Sequence, residues 1–245
     1  MDSRAFARDL VRRSHTWAQE YVAGEYGRIR ARIRGGGLIE WCRSFMWREY
    51  MVGVHVCAKT LALLPDEDQD LKLLLTTQIL EEWKHSQIFA ERARALGGEG
   101  DLRTYTPTAG DWELYHWTYR WGHPAELATA LQCTGEVMIT AMFRLLVDPR
   151  RVLVEEGTAH AIRAGILSEE GEVLESLVDA ETARRLDEEV IPDEGQHIRF
   201  GRMILERHAT TDEVQQMVLR VQQEKMAALR VSHGDLVDRV LGLQG

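Results

Sequence analysis

Two turns of the chain, Glu81-Glu82-Trp83-Lys84-His85 and Asp193-Glu194-Gly195-Gln196-His197, restrict what it can fold into more than any other stretch. In each, a Glu and a His sit three residues apart, so on a helix both side chains leave one face a turn apart and can hold one metal ion. Two such turns facing each other make a site for two ions. A helical bundle that holds paired iron or manganese takes one further Glu from each of two other helices, all pointing inward.

A single Glu-x-x-His pair carries little weight. With 25 Glu and 9 His in 245 residues, roughly one pair is expected by chance, so context has to decide. A third pair, Glu113 and His116, serves as an internal decoy: it lies between Gly110 and Gly122, a span too short for a bundle helix, and Trp112 rather than an acid precedes its Glu. The two central pairs sit in long helical patterns and follow an acid, Glu81 or Asp193. An acid there is suited to receive the second N–H of a metal-bound imidazole and fix its tautomer.

The pattern along the chain is helical throughout, with no convincing strand and no solenoid repeat. Residues 3 to 33 read as an arm packed outside the bundle, interrupted by Gly24 and Gly27 and ended at Gly35-Gly36-Gly37. A first long helix runs from Leu38 to Leu64, where Pro65 stops it; Asp66 caps a second, which ends at Gly97-Gly98. The aromatic segment Glu99 to Gly122 reads as a lid or packing strap, and Pro124 opens a third long helix that reaches Val147. Smaller helices are expected around 151 to 164. A fourth long pattern then runs from Ser168 to about His208 with a kink at Pro192, and a capping box at Thr210 to Glu213 starts a last helix.

On the third long helix Glu136 is the sole charged residue between Leu127 and Phe143, and a lone Glu there is costly to bury unless it is paired or bound to metal. On the first, Glu49 lies mid-span among Phe45, Met46, Val52 and Val54. Glu40 and Glu126 compete with them, but both lie near helix starts, where an acid is expected for dipole reasons alone. The candidate ligands are therefore Glu49, Glu82, His85, Glu136, Glu194 and His197.

The formal charge of −9 argues against general affinity for nucleic acid or acidic membranes. Residues 1 to 37 break that average with eight Arg against four acids, including Arg28, Arg30, Arg32 and Arg34. A solvated basic helix end is the plainer reading of them; a dock for a carrier protein, a coenzyme phosphate or RNA is the sharper one. Cys42, Cys57 and Cys133 are odd in number and widely spaced, which fits a reducing cytoplasm and excludes a Cys-x-x-Cys zinc or rubredoxin module. No secretion signal opens the chain, and the apolar run Val52 to Leu64 is broken by His55 and Lys59, so a cytoplasmic protein with no membrane partner is expected.

With Glu, Glu-x-x-His, Glu and Glu-x-x-His in order on four helices, residues 38 to 208 resemble the ferritin-like diiron-carboxylate superfamily. The resemblance implies a single all-α domain over 1–245: a four-helix bundle with added N-terminal, connecting and C-terminal helices. It implies two irons (or a Mn/Fe pair) bridged by carboxylates, with Glu82 and Glu194 as bridges, Glu49, Glu82 and His85 holding one ion and Glu136, Glu194 and His197 the other. The reduced pair would bind O2 and act on an organic substrate, small or carrier-tethered, with electrons from a ferredoxin or reductase. Such bundles often form homodimers. The chain lacks the Cys-rich part of rubrerythrin-like peroxidases, and Phe89 stands where radical-generating reductase subunits place a Tyr. Thr140, four residues after Glu136, matches a Thr of bacterial multicomponent monooxygenases and is the candidate catalytic residue: it either aids proton delivery or bonds a backbone carbonyl. Cys133 is a candidate pocket residue, whereas Phe45, Phe89, Met138, Phe143 and Phe200 read as core. The alternatives are a tRNA-modifying hydroxylase and a non-catalytic or ferroxidase protein of the same fold.

Overall fold

A computed structural model of the protein describes residues 1–149 and 176–240. These form seven helices, with no strand among the described residues. Helix α1 is Ser3–Arg32 and closes in a π turn, Ile33–Gly37. Helix α2 spans 38–63, as Leu38–Arg48, a π turn Glu49–Val54, and His55–Leu63. Helices α3 and α4 are Gln69–Ala95 and Ala109–Tyr119, and α5 is Pro124–Val147 with a π turn at Leu131–Gly135. Helix α6 spans 180–208, as Ala180–Arg185, a π turn Leu186–Val190, and Ile191–His208; α7 is Asp212–Val240.

Helices α2, α3, α5 and α6 pack around a common interior, with α1 laid along α5 and α6, and α7 across α4 and α5. The pair α2 and α3 is antiparallel: Ser86 Oγ donates to the Met46 carbonyl at 2.8 Å, and further along Gly53 meets Glu82. Beneath that interior Trp41, Phe45, Phe89 and Phe143 form a buried aromatic cluster, with ring centroids 4.6 Å apart for Trp41 and Phe45 and 5.2 Å for Phe45 and Phe143. Burying each such ring contributes on the order of 1.5–3 kcal/mol. The cluster includes three of the four phenylalanines expected in the core; the fourth, Phe200, is buried beside His197.

Several sequence expectations shift when the backbone is seen. Helix α1 is not interrupted at Gly24 and Gly27, because both glycines sit on its exposed side, where no packing side chain is needed. The turn into α2 falls at Gly36, whose φ of 91° suits a residue without Cβ. Asp68, not Asp66, stands at the start of α3, and its carboxylate accepts from Arg207 at 2.8 Å and His208 at 2.7 Å while Asp66 pairs with Lys72. Among the described residues helix α6 begins at Ala180, where Asp179 receives the N–H groups of Glu181 and Thr182; the stretch expected to be helical from Ser168 to 175 lies outside them. The distortion expected at Pro192 takes the form of the π turn just before it. The cap of α7 is Thr211, one residue later than expected, accepting from Val214 N at 3.3 Å. The helices expected around 151 to 164 lie outside the described residues. The aromatic segment is a true helix, α4, started by a capping box between Thr108 and Asp111. It does pack as a strap: Trp112 lies edge-on to Trp47 at 5.2 Å, and Tyr115 Oη is 3.3 Å from His55 Nδ1.

The arginine-rich end of α1 is only partly solvated. Arg32 is buried and Arg28 pairs with Glu25 at 2.9 Å. By length and composition Pro124–Val147 could cross a bilayer, but 83% of its apolar window is buried inside the protein.

A buried ion pair ties three helices. The Arg48 guanidinium donates to Asp111 Oδ1 at 2.9 and 2.6 Å and to Ser232 Oγ at 2.9 Å, linking α2, α4 and α7. Removing one partner of a buried pair leaves an uncompensated charge, so Asp111→Ala is expected to cost about 3–5 kcal/mol in urea unfolding. Arg184→Ala, which breaks exposed pairs to Glu181 and Glu188, is expected to cost about 0–1 kcal/mol. Equal small losses would refute the role given to Arg48 and Asp111.

Candidate metal centre

All six expected ligands meet at one buried point. Glu49 comes from α2, Glu82 and His85 from α3, Glu136 from α5, and Glu194 and His197 from α6; each is 3% exposed or less. The Nδ1 atoms of both imidazoles face inward. His85 Nδ1 lies 3.8 Å from Glu82 and 3.4 Å from Glu194, and His197 Nδ1 lies 3.3 Å from Glu82 and 3.4 Å from Glu194. The carboxylates of Glu82 and Glu194 therefore straddle the two imidazoles. Ligand atoms of Glu49, Glu82, His85 and Glu194 fall within 4.8 Å of one another, as do those of Glu82, Glu136 and His197. The sets share Glu82, and the first draws in Glu194, which the resemblance assigned to the second ion.

The outer nitrogens are held crosswise. His85 Nε2 is 3.2 Å from Asp193 on α6, and His197 Nε2 is 3.0 Å from Glu81 on α3. Each acid thus locks the imidazole of the opposite helix, leaving Nδ1 as the free ligand atom. This cross-bracing also pins the register of α3 against α6.

Electrostatics follow from the crowding. Burial, and then the nearby charges of Glu82 and Glu194, push the Glu49 carboxyl well above the ordinary carboxylate range; burial, Glu194 and Glu82 do the same to Glu136. Burial alone would raise Glu82 and Glu194 too, but the imidazoles of His197 and His85 outweigh it and hold both below the usual range. In turn, against the effect of burial, Glu82 and Glu194 push His197 up to about 10. The donor set fits a pair of divalent cations: four carboxylates match their charge, and neutral imidazoles complete the coordination. Seven buried atoms of the six side chains lack any hydrogen-bond partner: Glu49 Oε1, Glu82 Oε2, His85 Nδ1, Glu136 Oε2, both oxygens of Glu194, and His197 Nδ1. Buried polar atoms are ordinarily satisfied, so seven orphans at one point call for cations.

Three π turns border the centre or the helices that carry it: Glu49 opens one and Glu136 follows another. A π turn inserts a residue and shifts the faces of the helix. That shift corrects the place of Cys133, which packs with Phe6, Ala125 and Leu205 instead of lining the site. Its neighbour Gln132 faces inward. Gln132 Nε2 donates to Gln78 Oε1 at 3.0 Å, and Gln78 Nε2 donates to Glu82 at 2.9 Å and Glu136 at 3.4 Å. The Glu82 carboxylate, held below the usual range, only accepts, so it fixes the direction of the whole amide chain. The thiol at its far end is Cys57, 3.7 Å from Gln132 Nε2.

Thr140 is buried and its hydroxyl has no partner, which removes the alternative that it bonds a backbone carbonyl. Glu113 and His116 are exposed on α4, far in environment from the buried centre, as a decoy should be. Glu126 accepts from the N–H groups of Gly122 and His123 at its helix start, and Glu40 pairs with Arg43. Comparison with known protein families, curated proteins and solved structures finds no match. The centre therefore stands on its own geometry.

Sequence reasoning missed Gln78, Gln132, Gly53 and Lys225. An added Cβ at Gly53 would lie 2.8 Å from Glu82 Oε2, and Lys225 on α7 lines a cavity beside Glu49 and Glu136. A charged residue in an apolar helix was the signal that found Glu136, but Lys225 sits in the polar stretch Gln222-Gln223-Glu224, which hides it.

Proposed function

We propose that the protein is an O2-activating, non-haem dinuclear iron oxygenase or oxidase built on a ferritin-like four-helix bundle. The observation that carries the reading is the convergence of seven unpartnered ligand atoms from four helices, with both imidazoles locked from behind. Hard carboxylates with two imidazoles suit iron or manganese and match thiophilic metals poorly. Glu49, Glu82 and His85 would hold one ion and Glu136, Glu194 and His197 the other, with Glu82 and Glu194 placed to reach both. When bound, the metal pair supplies the redox chemistry that reduces dioxygen.

The chain's own residues prepare the site for that chemistry. Asp193 and Glu81 keep each imidazole in the tautomer with Nδ1 free. Gln78 orients Glu82 and Glu136. The aromatic cluster and the aliphatic residues around Glu49 exclude water, which strengthens each electrostatic contact inside. The Thr140 hydroxyl, buried and one turn from Glu136, holds a proton at Oγ1 that no neighbour takes. Of the eight arginines that suggested docking of RNA or a carrier, the burial of Arg32 takes one out of reach of such a partner.

Oxygen uptake tests the reading. The full chain, loaded with Fe(II) under anaerobic conditions and then mixed with O2, is expected to consume oxygen in proportion to its iron pairs, followed by electrode and by visible absorption. Iron that binds and stays ferrous in O2 would defeat the proposal.

A further inference from the structure

Helix α7 was expected to lie outside the site, yet Lys225 on it is 1% exposed and points into the bundle. Its Nζ has one hydrogen bond, to Thr118 Oγ1 at 2.9 Å, and the Trp117 ring centroid is 5.8 Å away. Among the described residues no carboxylate pairs with it; Glu136 acts on it only from a distance. The other buried cation of this region, Arg48, has Asp111 against it. A buried ammonium with two of its three N–H groups unused is costly and waits for an acceptor.

Lys225 faces a cavity that shows what such an acceptor would be attached to. Glu49 and Glu136, two of the six candidate ligands, line the same cavity, and neither His85 nor His197 does. The rest of the lining is mostly aliphatic, with Val52, Leu114, Leu131, Ile139 and Leu229, and it also includes His233 and the Arg48 guanidinium already held by Asp111. The free volume is about 30 Å3, so the occupant is small or pushes the aliphatic side chains aside.

We propose that this cavity is the substrate chamber and that Lys225 anchors an acidic group of the substrate, a carboxylic acid with a short aliphatic body. An acid seated on Nζ lays its apolar chain across the aliphatic walls and brings the opposite end toward Glu49 and Glu136. Burial pulls the Lys225 pKa down to about 7, and an anion beside it would restore the full charge. The inference deepens the dinuclear reading, on which it rests for the identity of the reacting end. The anchor itself is a property of α5, α4 and α7.

The test uses butyrate against its uncharged counterpart butyramide, with binding to the full chain followed by ligand-observed NMR, both metal-free and loaded with diamagnetic Zn(II). Butyrate is expected to bind at least about tenfold more tightly than butyramide, as a charge-assisted hydrogen bond of about 1.5 kcal/mol or more requires. Lys225→Met is expected to abolish that preference and Lys225→Arg to keep most of it, with metal content unchanged in both. Removing an unpaired buried cation should not weaken the fold, and a raised melting temperature in Lys225→Met would agree. Failure of butyrate to bind, a preference that survives Lys225→Met, or metal loss in Lys225→Met would overturn the anchor, the last by making Lys225 a counter-ion of the acid cluster. The dinuclear reading fails separately: a chain that prefers butyrate but takes up no metal keeps the anchor and loses the oxygenase.

Discussion

Glu136→Gln is expected to lower the affinity for metal by about 100-fold or more, because the change removes a charged ligand while keeping its shape. Outer-shell partners of metal ligands are already worth about 10–100-fold, and a ligand itself should stand at or above that range. The glutamine can still accept from Gln78 Nε2, which lies 3.4 Å from Glu136 Oε1, so the fold has little reason to suffer. In the metal-free chain the same substitution removes a carboxyl that burial and Glu194 push well above its ordinary range. Metal-free Glu136→Gln is thus expected to melt no lower than the parent, while metal no longer raises its melting temperature. Elemental analysis after gel filtration reads the first effect and calorimetry the second. Glu113→Gln and His116→Gln, on the exposed face of α4, should retain the parent's metal. Loss of metal in the decoy variants, or its full retention in Glu136→Gln, would overturn the centre.

The six candidate ligands were legible in the sequence because each depends on local signals: two Glu-x-x-His turns in long helical patterns, and two acids at mid-span of the other long helices. The parts that were hidden depend on distances between helices. Nothing local says that Asp193 serves His85 rather than His197, since the choice is made by the crossing of α3 and α6. The exchange of Cys133 for Gln132 was hidden for another reason. An ideal 3.6-residue period places residue 133 one turn before Glu136, and the π turn Leu131–Gly135 breaks that count. Capping errors at Asp66 and Thr210 are of a lesser kind: in each case a second residue of the same type, Asp68 or Thr211, stands one or two positions on, and at Asp68 the long-range bonds from Arg207 and His208 decide the choice.

Gly53→Ala should damage the centre nearly as much as loss of a ligand, although no ligand is touched. Gly53 lies in the π turn of α2 with the Glu82 side chain directly over it, and a Cβ there would approach Glu82 Cδ and Oε2 to 2.8 Å. A free Glu side chain would swing away at little cost. Here it cannot, because Glu82 accepts from Gln78 at 2.9 Å and lies 3.3 Å from His197 and 3.8 Å from His85. The strain therefore goes into displacing the carboxylate proposed to reach both ions. The expected result is a fall of about 10–100-fold in metal affinity, with a loss of about 1–3 kcal/mol in the metal-free fold from the crowding. Gly195→Ala is the matched control. It adjoins Glu194, yet an added Cβ meets nothing within 4 Å, and alanine in a helix interior should stabilise α6 by about 0.5–1 kcal/mol. Metal titrations of the two variants side by side separate a specific clash from a general intolerance of substitution near the ligands. Should Gly53→Ala bind metal as the parent does, Glu82 is not confined as described, and its role as the carboxylate common to both ions fails.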